Sequence, residues 1–240
     1  MEEAIKNYRT PQAIIDRLRP IRTVILTGIT GAGKDTIIAD ILQQSDDFVK
    51  VITSTTRTPR SNNGVMERDG IDYYFLTPKQ VEEKIRQGAY IEVASVHERI
   101  NGSLVAEYER IAAMDKVALT AIDYQGAMRF LSFDMDHLSV YFVTPPNFEV
   151  YTARLLKRQG GVIGDREEVL RRFRSAQTEL QHALDHPEFV PIMNDSSGET
   201  ALKIIMHSQD NTSPSEAEQH QAREAIQKLQ QSIADYIGQL

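Results

Sequence analysis

A short apolar run, Val24-Ile25-Leu26, leads directly into Gly28-Ile29-Thr30-Gly31-Ala32-Gly33-Lys34, and a helical stretch follows to about Leu42. Few architectures accept that order. A continuous apolar run suits a parallel strand buried on both faces. The glycines allow a tight turn that aims backbone N–H groups inward, and the N-terminus of the next helix adds partial positive charge behind them. The segment matches G-x-x-x-x-G-K, the loop that cradles a nucleoside triphosphate, with Lys34 reaching the β and γ phosphates. Gly28, Thr30, Gly31, Ala32, Gly33 and Lys34 are therefore candidate ATP-binding residues, and Asp35 and Thr36 open the helix beside them. The strict motif has Ser or Thr after the lysine as a ligand for Mg2+. Here the position is Asp35, a carboxylate that can hold Mg2+ but also repels phosphate. Thr36 points elsewhere on the helix.

The rest of the chain supplies a matching frame. Buried-strand patterns recur at 116–122, 139–143 and 189–193, separated by helical patterns at 148–157 and 167–184. That alternation predicts an α/β fold with a central parallel sheet. The interval 51–96 differs: apolar runs at 51–55, 73–76 and 90–96 lie near glycine-rich turns around one helix at 79–87, which predicts a small strand-rich insertion. Thr10-Pro11 reads as an N-cap and first helical residue, starting a short N-terminal helix outside the main fold that stops at Pro20. Beyond about Gln209 the chain is linker-like, and Ser213 with Glu216 reads as a capping box for a terminal helix. Ala222, Ile226, Leu229, Ile233, Tyr236 and Leu240 form an a/d seam there. Such a seam packs on its own domain or pairs with a second copy as a homodimer.

Charge and composition narrow the partners. With 27 Lys and Arg against 34 Asp and Glu, the net charge of −7 argues against nucleic acid. The absence of cysteine removes thiolate metal sites and a Cys nucleophile, and accords with a reducing cytoplasm. No apolar stretch approaches a membrane span, and the N-terminus leads into no apolar signal core, so the reading is a cytoplasmic protein with no membrane partner. The six histidines show no ligand spacing.

A second cluster has the chemistry of an anion acceptor. Thr53-Ser54-Thr55-Thr56-Arg57-Thr58-Pro59-Arg60 sets two guanidinium groups three residues apart, and paired arginine forks suit a phosphate dianion better than lysine does. Gly70-Ile71-Asp72-Tyr73-Tyr74-Phe75 follows, offering a phenol to the same phosphate.

Taken with the Ile91-Glu92 strand, Gly102-Ser103, Ile122-Asp123-x-Gln125-Gly126 and Pro145-Pro146, these motifs resemble the guanylate kinase family in their order and near their spacings, over about 22–209. The resemblance implies a P-loop kinase fold with the central parallel sheet, an acceptor-binding insertion at about 53–103 and a helical lid at about 154–172. Residues 1–21 and 210–240 then form helical extensions. It implies transfer of the γ-phosphoryl of ATP to GMP, with Mg2+ as cofactor. Arg57, Arg60 and Tyr73 would hold the GMP phosphate, Thr53 and Ser103 would flank the base, and Glu92 would accept from guanine N1 and N2. A carboxylate suits that last role on chemical grounds too, since guanine presents two adjacent donors and adenine does not. Arg154, Arg158 and Arg172 would neutralise the transferring phosphoryl group, and Asn194 would contact adenine. Asp123 follows an apolar strand, where it serves the acceptor side, orients water on Mg2+ as a second metal residue with Asp35, or caps the next helix. The chain departs from the family pattern at Asn101, where a tyrosine is usual, at Ala121, usually acidic, and at His97-Glu98-Arg99-Ile100. Two other readings carry the same loop or cluster: a kinase of ribosyl bisphosphate, which also has Asp after the loop lysine, and a silent phosphoprotein-binding module.

Overall fold

The structure, a computed structural model, describes residues 2–62, 64–96, 99–158 and 166–239. In chain order its first elements are α1 (Glu2–Asn7), α2 (Gln12–Leu18), β1 (Thr23–Thr27), α3 (Lys34–Gln44), β2 (Phe48–Lys50) and β3 (Ser54–Thr55). Then come β4 (Ser61–Asn62), β5 (Val65–Met66), β6 (Tyr74–Phe75), α4 (Pro78–Arg86), β7 (Tyr90–Val96), β8 (Arg99–Leu104) and α5 (Val105–Ala113). The remainder is β9 (Val117–Ala121), α6 (Tyr124–Leu131), β10 (Leu138–Thr144), α7 (Phe148–Arg158), α8 (Arg166–Asp185), β11 (Val190–Met193), α9 (Ser197–Asp210) and α10 (Glu216–Gly238). One sheet has the order β11-β10-β1-β9-β2 and another β6-β3-β8-β7. In the first, β10 with β11 and β2 with β9 run parallel. Every residue of β1 is buried, with the apolar run Val24-Ile25-Leu26 at its centre and a threonine at each end. No described helix is long and apolar enough to cross a membrane.

Contacts group the chain into two units. The second takes Val24–Asp46, Ala121–Ala127 and Ser139–Leu240. In it α3 packs on α9, and α10 packs on α8, α7 and β11. The seam of α10 is buried there: Ala222, Ile226, Leu229 and Ile233 are covered, and Tyr236 lies against Phe148 and Phe173. A homodimer would therefore have to use another surface than the seam, while Leu240 lies outside the described residues. The helix starts two residues later than its sequence suggests. Its capping box is Ser215 with Glu218, because Lys203 of α9 holds Glu218 at 2.7 Å and fixes that carboxylate, rather than that of Glu216, over the first turn.

The first unit takes Met1–Thr23, Asp47–Thr120 and Met128–Leu138. The strand anticipated at 51–55 is divided. Val51 continues the parallel pairing by donating to the Leu119 carbonyl, Ile52 donates to the Glu107 carboxylate, and the second sheet begins only at Ser54. A side chain thus satisfies the Ile52 N–H at the changeover between sheets. Thr10 does not cap a helix either. Its hydroxyl donates to the Ile91 carbonyl, Pro11 takes the N-cap position without a side-chain bond, and a separate helix, α1, precedes it. Nor does this N-terminal segment stand apart: Ile5 and Tyr8 share an apolar cluster with Val81, Tyr90, Ile100 and Leu104.

Candidate active site

The donor-side residues lie in the second unit. Two loop glycines are obligatory. At Gly28 (φ 130°) a Cβ would come within 2.3 Å of the Val143 carbonyl oxygen, and at Gly33 (φ 96°) within 2.3 Å of Asn194 Nδ2. Gly33 is also the N-cap of α3, with no side chain capping it, so the first-turn N–H groups face the loop's own ligand space. Lys34 Nζ donates to the carbonyls of Gly28 and Ile29, which returns its charge to the loop. Asn194 is only 1% exposed and donates to the Ala32 carbonyl at 2.7 Å. Anticipated at adenine, its amide is instead turned into the loop as an anchor. Arg154 joins it there, donating to the carbonyls of Ala32, Asn194 and Asp195. Burial pulls this guanidinium below its ordinary range, against the charge of Asp195.

The remaining donor-side residues are placed differently. Thr30, Asp35 and Thr36 are exposed, and Gly31 holds a left-handed φ of 88°. Arg172 pairs with Glu168 one turn away at 2.6 Å. Arg158 closes α7, and its side chain lies outside the described residues, as do the lid connector at 159–165 and His97 and Glu98. Asp123 caps α6 through Oδ1, which accepts from Gly126 N at 2.8 Å. Glu179 of α8 had no sequence signal. Burial raises its carboxyl, the Lys34 charge opposes the rise, and Asp123 adds to it, so this carboxylate shares a field with both.

The acceptor-side residues lie in the first unit. Arg57 makes a two-pronged pair with Glu67, through Nη1 to Oε2 and Nη2 to Oε1, the latter at 2.7 Å. Arg60 lends its backbone N–H to Glu67 Oε2 at 2.8 Å while its side chain is exposed. The Arg57 guanidinium lies 4.7 Å from the centre of the Tyr73 ring and 5.6 Å from that of Phe75. Two aromatic faces and a carboxylate therefore fix its plane. Glu67, which sequence reading missed, has its carboxyl held down at about 2 by the Arg57 bonds, helped by the Arg60 N–H against a burial penalty. The pair's contribution to stability is thus complete above the ordinary carboxyl value of 4.5 and is lost as pH falls toward about 2. Urea midpoints from pH 6 to pH 2 check this: the parent loses more stability on acidification than Glu67→Gln does.

Glu92 and Ser103 meet on neighbouring strands. Ser103 Oγ donates to Glu92 Oε1 at 2.7 Å, with Ser103 fully buried and Glu92 8% exposed. Beneath them Tyr90 Oη lies 3.1 Å from Ser54 Oγ, and that hydroxyl donates to the Gly102 carbonyl. Gly102 leaves no room for a Cβ, which would fall 2.6 Å from the Glu92 carbonyl oxygen and 2.8 Å from the Tyr90 ring. Thr53 is half-buried just before β3 and accepts Tyr74 N at its carbonyl. Asn101, the departure from the family pattern, is in β8 opposite Thr55 and Ala94.

A glycine loop closing a buried strand, its lysine, and an anchored guanidinium define a P-loop phosphotransferase. The guanylate kinase family model matches residues 20–210. A guanylate kinase of Rickettsia bellii is 31% identical over 182 residues, spanning 75% of this chain and 90% of that protein. One from Anaeromyxobacter dehalogenans is 34% identical, spanning 72% and 73%. The crystal structure of guanylate kinase from Anaplasma phagocytophilum superposes with a TM-score of 0.58 at 25% identity, covering 80% of this chain and 86% of that one. This chain belongs to the guanylate kinase family.

Proposed function

We propose that the chain transfers the γ-phosphoryl group of ATP to GMP, giving ADP and GDP, with the cytoplasm as its compartment. The observation that carries the reading is Glu92, a nearly enclosed carboxylate with one oxygen held by Ser103. Enclosing a carboxylate is costly unless donors surround it, and the Watson–Crick edge of guanine supplies two side by side. Arg57, already flattened against Tyr73 and Phe75, and the exposed Arg60 suit the acceptor phosphate.

The chemistry needs no covalent nucleophile. A phosphate oxygen of GMP bonds to the γ phosphorus of ATP, the bond to the β,γ-bridging oxygen breaks, and ADP leaves with the electron pair. Positioning and charge neutralisation carry such a step. Lys34 supplies positive charge at the loop, and Arg154, Arg158 and Arg172 supply it from α7 and α8. Mg2+ fits the oxygen donors present. Asp35 is exposed in the first turn of α3, and Asp123 keeps one oxygen on the α6 cap. Asp35 and Asp123 are the carboxylates that would offer oxygen to the ion beside the phosphates. When bound, Mg2+ neutralises charge on the β and γ phosphates.

A coupled ADP-release assay across GMP, dGMP, AMP, UMP and ribosyl bisphosphate tests the reading. GMP and dGMP are expected to be preferred by at least about a hundredfold over AMP. Preference for ribosyl bisphosphate, or no turnover with any acceptor, would replace it.

A further inference from the structure

Residues 2–19 precede the stretch matched by the family model, yet two of their side chains act on the strand that carries Glu92. Strand β7 ends the order β6-β3-β8-β7, so among the described strands β8 alone pairs with it. Its ladder is irregular: Tyr90 lies opposite Leu104 and Glu92 opposite Ser103, which leaves Ile91 as an extra residue in a β-bulge. Tyr8 Oη donates to the Tyr90 carbonyl, and Thr10 Oγ1 donates to the Ile91 carbonyl at 2.6 Å. Both side chains are buried, at 7% and 8% exposure. The segment is itself tied down. Tyr8 and Ile5 enter the cluster with Val81, Tyr90, Ile100 and Leu104, and Arg129 donates to the Tyr8 carbonyl at 3.4 Å.

A bulge re-aims the side chains that follow it, and moving the register by one residue turns every later side chain to the opposite face. Here the residue after the bulge is Glu92. Losing a donor from a buried carbonyl favours any rearrangement that finds the carbonyl another partner, and a regular ladder is one.

We infer that Tyr8 and Thr10 are positioning residues for the acceptor site: they hold the carbonyls of the β7 bulge and thereby aim Glu92 and set purine selection. This rests on the assignment of Glu92 to the guanine edge.

The test uses the full chain carrying Tyr8→Phe with Thr10→Val, each single change, and Thr10→Ser, which keeps the hydroxyl. Initial rates are read against GMP, ATP and AMP, beside a thermal melt. The double variant is expected to raise KM for GMP about tenfold and to shrink the GMP-to-AMP ratio, with KM for ATP within about twofold of the parent. Thr10→Ser should keep parental values, and the single variants carry the test if the double does not fold. A fall in kcat with unchanged KM and unchanged selectivity would show a merely structural role and overturn the inference, as would parental kinetics throughout. Glu92→Gln, assayed in parallel, separates the two claims. If it destroys GMP preference while the Tyr8 and Thr10 variants change nothing, the inference alone fails; if it leaves GMP preference intact, the acceptor reading fails and the inference with it.

Discussion

Lys34→Ala is expected to lower kcat for ADP formation about a thousandfold while leaving the fold in place. The ammonium binds the carbonyls of Gly28 and Ile29, so it belongs to the loop and not to the core. Hydrogen bonds from a charged donor contribute about 1.5–3 kcal/mol each, and these two are only part-buried, so the low end applies and the melting temperature should fall by about 6–12 °C with the fold retained. The catalytic loss is larger because a preorganised charge acts on the phosphoryl group as its own charge spreads, and removing one such donor costs about a hundred- to a thousandfold. Arg154 cannot replace it. That guanidinium is held at the carbonyls of Ala32, Asn194 and Asp195 and is already pulled down by burial. A second readout follows from the shared field. Because the Lys34 charge restrains Glu179, its loss should move the Glu179 carboxyl further upward, visible in a carboxyl-resolved NMR titration. Parental turnover in Lys34→Ala would remove the phosphate role from the loop.

Where the sequence was readable, a local rule and the tertiary structure agreed. Val24 to Leu26 had to be a doubly buried strand, and the glycines at 28 and 33 adopt backbone conformations and approaches that a Cβ would forbid. The arginines at 57 and 60 were legible as a pair three residues apart, and both turn to Glu67, Arg57 through its guanidinium and Arg60 through its backbone N–H. Contacts between distant residues left no such trace. Glu67 lies in a turn-rich stretch without periodicity, although it fixes Arg57. Glu179 looks like any charge on a solvated helix until burial and the Lys34 field distinguish it. Thr10 before Pro11 satisfies every rule for an N-cap, yet a carbonyl 81 residues away takes its hydroxyl. The terminal helix offers two overlapping capping boxes, in Ser213-Pro214-Ser215-Glu216-Ala217-Glu218, and the bonds from Lys203 to Glu218 and from Gln219 to the Pro214 carbonyl accompany the second. Asn194 sits where the family resemblance put it in the chain, but its amide faces the Ala32 carbonyl.

Glu92→Gln should cost about a hundredfold in kcat/KM for GMP and erase most of the discrimination against AMP. The carboxylate offers acceptors only. Ser103 donates to one oxygen at 2.7 Å, and the two proposed guanine donors each need an acceptor direction on the same carboxylate. A glutamine of the same shape keeps one oxygen and presents an NH2 group in place of the other. If its oxygen stays with Ser103, the NH2 opposes the guanine N–H groups; if it turns over, the Ser103 hydroxyl accepts from the NH2 and one uncharged oxygen is left to face both guanine donors. Either arrangement leaves at least one guanine donor without its charged acceptor, at about 2–3 kcal/mol, which is about a thirty- to a hundred-and-fiftyfold loss. Adenine presents an acceptor at N1, so the same substitution improves its fit relative to guanine, and the GMP-to-AMP ratio falls further than the GMP rate alone. Ser103→Ala separates the two halves of the argument. It removes the Ser103 bond to Glu92 without introducing a donor, so it should raise KM for GMP by about tenfold and preserve the preference for guanine. Equal loss of selectivity in both variants would mean that the orientation of Glu92, and not its charge, reads the base.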